Sequence, residues 1–391
     1  MHKFKPDEIV KCCNNIERGV RFDRDGVGVC CCSTKVSPFI ISPEEMASGK
    51  VNYDLILERR HELLECVNGL NNKYDVTDCL SCSLLKEKEY KDIDLTNLGG
   101  PNLCSGFNIA HFSSCNLKCT YCPYATFDKE TNNQYSNIVE FIEEYRKRGK
   151  ILDGTQIDYN GGEPTLLKDF EKILDYLIDN KIGRVTLYSN CVKYNSRIYQ
   201  ALKQNKITLI TSPDCALPST SKNIKQISTF HRIYDTIVKY RNSGTNNLVI
   251  KYVIADENRS DDDLYSFVNF AAALGPKVII GICPSYPYGD REIPEETVEF
   301  GAKLAYMLEK YTGKMPLLFS DYSTADEKFL NYSKEVRERV AQKKKEKPLN
   351  SLYNLNKCYE TNKVCKPKRN LTFKELIKRT IKAIKLYLLT N

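Results

Sequence analysis

The stretch that decides the fold runs from Gly106 to Cys122 and reads GFNIAHFSSCNLKCTYC. Its first seven residues are predicted to form a β-strand, and the strand leads directly into a cysteine-rich loop. The loop carries Cys115, Cys119 and Cys122 at CxxxCxxC spacing, with an aromatic residue before the last cysteine. Thiolates this close in sequence favour one shared metal centre. The spacing alone leaves open a zinc site completed by His111 and an iron–sulfur cluster with one iron free of protein thiolate.

Strand-like and helix-like segments alternate on the carboxyl side of this stretch, up to about Lys310. The strand candidates have a hydrophobic period near 2, and the helix candidates between them have a period near 3.6. Six βα units in series predict a parallel sheet, either doubly wound or a partial barrel. Active-site residues of such sheets gather at the carboxyl ends of the strands, and the cysteine loop lies at one such end. The five strands after the first are TQIDYN, RVTLYSN, ITLITS, NLVIKYVIA and KVIIGI.

Charge and cysteine content narrow the classes of function. The chain of 391 residues has a net charge of +8, but Val340–Asn391 holds fourteen Lys/Arg against three Glu, which leaves −3 for the rest. The body of the protein therefore does not resemble a nucleic-acid binder. Seventeen cysteines, with no signal-peptide core and no apolar run of membrane-spanning length, predict a cytoplasmic protein with metal-binding or catalytic thiols.

The next two strands carry the motifs that choose between the metal centres. DYNGGEP ends in Gly161, Gly162, Glu163 and a proline, and LYSN places Ser189 and Asn190 at the end of the following strand. Together with the cysteine triplet, these motifs resemble those of the radical S-adenosylmethionine (radical SAM) superfamily. The resemblance covers about residues 104–310. It implies a partial (β/α)6 TIM-like barrel and a [4Fe–4S] cluster whose open iron chelates S-adenosylmethionine.

The resemblance also implies roles for individual residues. Cys115, Cys119 and Cys122 would bind the cluster, and the glycines with Glu163 would contact the methionine amino group. The implied reaction is reductive cleavage to a 5′-deoxyadenosyl radical that takes a hydrogen atom from the substrate. The other implied ligand contacts are Ser189 and Asn190 with the ribose, Tyr121 near the adenine, and Lys251 with the methionine carboxylate, although Lys251 could equally be a surface lysine.

A second group of cysteines lies near the N-terminus. RFDRDGVGVCC reads as a hairpin because Asp-Gly is a strong turn signal, and Cys79 and Cys82 form a CxxC motif further on. These features resemble the SPASM or twitch extension that binds an auxiliary [4Fe–4S] cluster, although that extension normally follows the barrel. The expected ligands are one of Cys12/Cys13 and one of Cys30/Cys31/Cys32, with Cys13 and Cys31 preferred, together with Cys79 and Cys82. A small zinc-stapled module is the alternative.

The reaction type rests on residues after the third and fourth barrel strands. Asp214 and Cys215 are expected at the mouth of the barrel, where the thiol could return a hydrogen atom to a substrate radical and cause epimerisation. Cys191 is a second candidate donor, and Asp214 could act as a base or bind substrate hydroxyls. Alternatively Cys215 only packs, and the auxiliary cluster oxidises the substrate radical, giving an oxidised alcohol or a crosslink. Asp158 could also reach the substrate.

The substrate expected from a looser resemblance is a carbohydrate of bacterial surface-polysaccharide synthesis, free or lipid-linked. The basic amphipathic segment TFKELIKRTIKAIKLYLL could place the enzyme on an anionic membrane face, or could pack on the barrel itself. Ribosomally made peptides are the rival substrate, and a zinc or iron–sulfur scaffold or an RNA-binding module is the non-enzymatic alternative. A flavodoxin or ferredoxin is the expected electron donor. The expected domains are an auxiliary-cluster domain over 1–100, the barrel over 101–325, and a basic linker with the amphipathic helix over 326–391.

Overall fold

A computed structural model describes residues 4–30, 38–49, 51–95, 100–122, 138–285, 292–318 and 327–346. The chain divides into two compact units. The first unit comprises residues 1–115, 127–188 and 323–327, and the second comprises residues 116–126, 189–322 and 328–391. The cysteine loop therefore passes from the first unit to the second directly after Cys115.

The described residues of the first unit form eight strands and six α-helices. The strands are β1 (Ile9–Cys12), β2 (Gly19–Asp23), β3 (Gly26–Gly28), β4 (Phe39–Ile41), β5 (Lys86–Glu89), β6 (Cys104–Ala110), β7 (Ile151–Tyr159) and β8 (Arg184–Tyr188). The helices are α1 (Asn14–Arg18), α2 (Pro43–Ala47), α3 (Tyr53–Val67), α4 (Thr77–Leu80), α5 (Ile138–Lys147) and α6 (Phe170–Asp179).

One sheet of the first unit joins the N-terminal region to the βα series. Its strand order is β8-β7-β6-β2-β3-β4, with β8, β7, β6 and β2 parallel and β2, β3 and β4 antiparallel. The predicted N-terminal hairpin is present as β2 and β3, with Asp23 opposite Gly26. A separate antiparallel pair is formed by β1 and β5. The hairpin thus extends the same sheet as β6, the strand that leads to the cysteine loop.

The two faces of this sheet differ in chemistry. On one face the fully buried Phe22 and Phe107 contact α5, where Phe22 meets Phe141 edge-on at 4.8 Å between ring centroids and Phe107 meets Tyr145 at 5.6 Å. Burial of such rings supplies most of the stabilisation of this packing. Because side chains alternate along a strand, the residues between them face the other way. That second face is polar.

Within the described part of the second unit, four parallel strands lie in the order β12-β11-β10-β9. Its core includes Tyr252, which packs against Phe267 and Phe300 at 4.7 and 5.9 Å between ring centroids. The strands are β9 (Ile207–Thr211), β10 (Leu248–Ile254), β11 (Ile279–Pro284) and β12 (Leu317–Leu318). The helices are α7 (Ser196–Lys203), α8 (Pro218–Lys225), α9 (Phe230–Arg241), α10 (Asp261–Leu274), α11 (Glu295–Thr312) and α12 (Glu327–Glu346).

The predicted α/β class with a mostly parallel sheet is confirmed. Two expectations concern the ends of the barrel. β2 pairs with β6, and β3 and β4 extend the sheet from β2, so the N-terminal hairpin shares a sheet with the first strand of the βα series, and the domain boundary at residue 100 stays a prediction. Residues 341–346, expected in a linker, continue helix α12, where Arg339 and Lys343 pair with acidic residues of α11. The amphipathic C-terminal segment lies outside the described residues. Among the described helices, none combines the length and apolarity that crossing a membrane requires.

Candidate active site

The GGEP turn after β7 packs directly on the residues that lead to Cys115. The Gly162 N–H donates to the Phe112 carbonyl oxygen at 3.0 Å, and the Glu163 N–H donates to the Ser114 carbonyl oxygen at 2.8 Å. A Cβ atom on Gly162 would lie 2.2 Å from that Ser114 oxygen. Gly161 has a φ of +99°, which other residues rarely adopt. The glycines are therefore needed because two backbone segments meet here.

Glu163, the third residue of this turn, has 1% of its surface exposed. Its carboxylate accepts hydrogen bonds from the Thr165 N–H at 3.2 Å and the Thr165 hydroxyl at 2.6 Å. A carboxylate fixed in this way has lone pairs left for a cationic partner. His111, on the same strand end, is 3% exposed, and burial lowers the pKa of its imidazole to about 4. A neutral, buried imidazole is the state expected of a packed histidine as well as of a metal ligand.

The second unit holds the carboxyl half of the cysteine loop. The Lys118 N–H donates to the Lys225 carbonyl oxygen at 3.2 Å, and the Thr120 N–H donates to the Ile224 carbonyl oxygen at 2.9 Å. Asn190 reaches the same loop, because its side-chain amide donates to Asn116 Oδ1 at 2.7 Å. The loop that carries Cys119 and Cys122 is therefore attached to the end of helix α8 and to the segment after β8.

Two residues that the sequence analysis expects to contact S-adenosylmethionine are hydrogen-bonded to other residues in this structure. The Tyr121 hydroxyl is hydrogen-bonded to the Asp214 carboxylate and to Lys225 Nζ. Ser189 is 7% exposed, and its hydroxyl accepts a hydrogen bond from the Cys191 N–H at 3.2 Å. Lys251, half-buried on β10, has no hydrogen-bond or ion-pair partner among the described residues. Contact of its ammonium with a methionine carboxylate stays a prediction.

The candidate hydrogen-atom donors are buried. Cys215 is 0% exposed, burial raises the pKa of its thiol to about 12, and the thiol lies 3.5 Å from the Pro213 carbonyl oxygen. Cys191 is also 0% exposed and has a φ of +59°. Asp214 is 0% exposed and pairs with Lys225. These surroundings favour the alternative that Cys215 packs, and donation by either thiol stays a prediction.

A row of polar side chains crosses four neighbouring strands of the first unit. Arg21 on β2 is in register with Asn108 on β6, Asn108 with Asp158 on β7, and Asp158 with Thr186 on β8. Burial raises the pKa of the Asp158 carboxyl. Asn108 is 8% exposed and makes no side-chain hydrogen bond within the described residues. A cavity of about 190 Å³ is lined by Asn15, Arg21, Asn108, Gln156 and Asp158 among others.

Four N-terminal cysteines lie near one another. Burial, together with the neighbouring thiols of Cys13, Cys30 and Cys82, raises the pKa of the Cys79 thiol to about 12. All four are half-buried, whereas Cys12 is 0% exposed and lies in the core. Of the alternatives left open by the sequence, the structure thus brings Cys13 and Cys30 to the CxxC motif. Cys31 lies outside the described residues.

This group is chemically suited to an iron–sulfur cluster, since four thiols from three chain segments share one neighbourhood. The Asn15 side-chain amide donates a hydrogen bond to Cys30 Sγ at 3.2 Å. Across the described ranges, however, no three His, Cys, Asp or Glu side chains are close enough together to hold a single metal ion. The donor set is compatible with a cluster, which spans more space than one ion. Cys30 is the described candidate among Cys30, Cys31 and Cys32, and ligation by Cys31 stays a prediction.

Comparisons with known proteins agree with the class inferred from the motifs. Residues 109–268 match the model of the radical SAM superfamily. The GTP 3′,8-cyclase of Clostridium botulinum strain Okra is 26% identical over 232 residues, which cover 58% of this chain and 69% of that protein. A probable GTP 3′,8-cyclase of Methanocaldococcus jannaschii is 25% identical over 164 residues, covering 41% of this chain and 54% of that protein.

Two solved structures are also similar. SuiB of Streptococcus suis, bound to precursor peptide SuiA, matches with a TM-score of 0.42 and 13% identity, covering 88% of this chain and 71% of SuiB. Native anSMEcpe with bound AdoMet matches with a TM-score of 0.42 and 17% identity, covering 55% of this chain and 63% of that chain. Resemblance at this level says nothing about the substrate.

The motifs and the matched region together define a radical SAM domain, and the chain carries it over residues 109–268. Proteins of this superfamily use S-adenosylmethionine and a [4Fe–4S] cluster, which confirms the cofactor class expected from the sequence. The chain covers 69% of the first curated relative and 49% of the next.

Sequence reasoning missed Lys225 and Asn108. Lys225 lies in SKNIKQIS, where nothing distinguishes it from the many exposed lysines of this chain. The signal for Asn108 was available, because a polar residue between Phe107 and Ile109 has to lie on the opposite face of β6 from those buried residues.

Proposed function

We propose that the protein is a radical SAM enzyme that removes a hydrogen atom from a small polar substrate. Cys115, Cys119 and Cys122 would bind the [4Fe–4S] cluster, and the cluster with S-adenosylmethionine supplies the hydrogen-abstracting radical when both are bound. The observation that carries the proposal is the packing of the GGEP turn on Phe112–Ser114, immediately before Cys115, inside the matched region.

The residues of this chain bind and orient the ligands in the proposed site. The Glu163 carboxylate, held by Thr165, would accept hydrogen bonds from the methionine ammonium. The unpartnered Lys251 ammonium would pair with the methionine carboxylate. Asn190 would act partly through Asn116, to which it is bonded, and so keep the loop in place as well as contact the ribose.

An auxiliary [4Fe–4S] cluster bound by Cys13, Cys30, Cys79 and Cys82 is the second part of the proposal. It is supported by the mutual proximity of the four thiols and by the Asn15 amide that donates to Cys30 Sγ. Hydrogen bonds to cluster sulfurs raise reduction potentials. Such a cluster would suit an oxidation, in which the substrate radical gives up one electron after losing hydrogen.

The substrate is proposed to be a hydroxylated small molecule. The polar row of Arg21, Asn108, Asp158 and Thr186 offers donors and acceptors on one face of the sheet, and the adjoining cavity has room for a ring of sugar size. A nucleotide is the first compound to test, because curated relatives are named GTP 3′,8-cyclase. A carbohydrate of surface-polysaccharide synthesis has no support from these relatives. The flavodoxin or ferredoxin donor and the cytoplasmic location stay predictions from the sequence.

The proposal is tested with anaerobically reconstituted, reduced protein, S-adenosylmethionine, and GTP or monosaccharide nucleotides in deuterated water. Formation of 5′-deoxyadenosine that depends on Cys115, Cys119 and Cys122 would establish the class. A product two mass units lighter, without deuterium, would indicate oxidation, and one deuterium gained would indicate donation by a thiol such as Cys215. A colourless, zinc-containing protein that leaves S-adenosylmethionine intact would refute the proposal and favour a scaffold.

A further inference from the structure

Lys225 is a buried cation at the carboxyl end of helix α8. Its side chain is 3% exposed. The ammonium donates to the Tyr121 hydroxyl at 2.9 Å and to the Ser212 carbonyl oxygen at 2.7 Å, and it pairs with the Asp214 carboxylate. These three acceptors match the three N–H donors of a lysine ammonium. Burial lowers the pKa of Lys225, but Asp214 and the neighbouring thiols of Cys119 and Cys215 together raise it by more, so the pKa lies above that of a free lysine.

The partner of this cation is itself held in place. Asp214 Oδ1 accepts a hydrogen bond from the Val253 N–H at 2.9 Å, and the Asp214 carbonyl oxygen accepts one from the Asn258 side-chain amide at 2.8 Å. Asp214 also has a φ of +63°, in the left-handed region. A buried pair with every hydrogen-bonding group satisfied is rigid, and removal of one partner leaves an uncompensated charge.

The backbone of the same helix end contacts the cysteine loop. The last carbonyl groups of a helix have no partners inside the helix. Here two of them, those of Ile224 and Lys225, accept hydrogen bonds from the N–H groups of Thr120 and Lys118. Lys225 therefore contacts the loop twice, through its carbonyl oxygen at Lys118 and through its ammonium at Tyr121.

We propose that Lys225 is a positioning residue that fixes the segment Lys118–Cys122 and places a positive charge beside the cluster bound there. The inference rests on the proposed function for its second half, because only a cluster would respond to that charge. The Lys225 ammonium is hydrogen-bonded to the side chain of Tyr121, which stands between Cys119 and Cys122 in the loop. Asp214 and Tyr121 then serve to hold Lys225, and neither is required to touch the substrate.

The first test uses the protein without metal and measures hydrogen–deuterium exchange of the peptide that contains Lys118 to Cys122. Lys225→Met is expected to raise its exchange rate about tenfold or more. Tyr121→Phe, which removes one hydroxyl and leaves Lys225 paired with Asp214, is expected to raise it severalfold. Lys222→Met is the matched control, because Lys222 is an exposed lysine on the same helix. Equal exchange in all four proteins would overturn the positioning role.

The second test measures the midpoint potential of the S-adenosylmethionine-binding cluster in reconstituted protein. A buried positive charge favours the reduced cluster, so we expect the highest potential in Asp214→Asn and the lowest in Lys225→Met. The potential of the wild type would lie between these two. The potential of the double variant, Lys225→Met with Asp214→Asn, would lie between those of the wild type and Lys225→Met. A purely structural role would not produce this order, and identical potentials would refute the electrostatic half.

The two tests separate failure of the inference from failure of the proposed function. The exchange experiment needs no cluster, so its result stands even if the protein binds no iron. Absence of iron in the wild-type protein would refute the proposed function and leave the positioning role to be decided by exchange. Iron in the wild type with unchanged exchange and potential in Lys225→Met would refute the inference alone.

Discussion

Replacement of Gly162 by alanine should destabilise the cysteine loop, because the added methyl group would clash with the backbone of the loop. An ideal Cβ atom at this position lies 2.2 Å from the Ser114 carbonyl oxygen and 2.7 Å from the Ser113 carbonyl carbon. Ordinary contact begins near 3.4 Å, so the two backbone segments have to separate by about 1.2 Å. Both atoms that the new Cβ would contact belong to the backbone, so no side chain can rotate away to relieve the clash.

The size of the effect follows from two contributions. Overpacking of this kind costs about 1–3 kcal/mol. Separation also weakens the 2.8 Å hydrogen bond from the Glu163 N–H to the Ser114 carbonyl oxygen, which is worth about 1 kcal/mol. The free energy of unfolding of the first unit should therefore fall by about 2–4 kcal/mol. For a unit of this size that corresponds to a Tm lower by roughly 5–15 °C.

The measurement is thermal unfolding of the protein without metal, followed by iron analysis after reconstitution. Gly281→Ala is the control, because a Cβ atom there would meet Lys251 Cγ at 3.7 Å, an ordinary contact. Gly162→Ala should lose iron at the S-adenosylmethionine-binding cluster, since Ser114 is the residue before Cys115. A Tm equal to that of the control, with full iron content, would refute the view that this glycine is required by backbone packing.

Three further predictions concern His111, Cys79 and Glu163. The wild-type protein should lose stability relative to His111→Asn as the pH falls from about 6.5 through about 4, because the folded state holds His111 neutral. The loss should reach about 3 kcal/mol, and urea unfolding at several pH values measures it. Cys79→Ser should lower the reconstituted iron from about eight to about four per chain while S-adenosylmethionine cleavage continues, as iron analysis would show. Glu163→Gln should weaken S-adenosylmethionine binding about tenfold by calorimetry with little change in Tm, and unchanged affinity would exclude contact with the ammonium.

The sequence predicted the alternation of strands and helices well, because the barrel strands are short apolar runs between amphipathic helices. β7, for example, continues through TQIDY, and α10 covers DDDLYSFVNFAAAL as expected. The sequence could not show that β2 pairs in parallel with β6. No local pattern specifies which edge strand a distant hairpin will extend, since backbone hydrogen bonds are the same for every partner.

The candidate site shows the same limit. The cysteine triplet and GGEP could be recognised because their spacing is fixed by chemistry within one loop. The pairing of Asp214 with Lys225 depends on how helix α8 returns toward the end of strand β9. A buried lysine also has the same sequence signature as an exposed one. The choice of Cys13 over Cys12 likewise depends on which side of β1 faces the core, and burial of Cys12 favours Cys13.

The parallel pairing of β2 with β6 has a consequence for the order in which the protein assembles. The two strands are separated by the eighty residues from Arg24 to Leu103, so β2 leaves the ribosome long before its partner strand exists. A long loop has to close before the pair can form, which slows folding. Cys13 and Cys30 flank β2, and Cys79 and Cys82 lie shortly before β6. Metal bound across Cys30 and Cys82 during synthesis would shorten that loop to about 28 residues, 24–30 and 83–103, so the rate at which the nascent chain matures should depend on the supply of iron and sulfide.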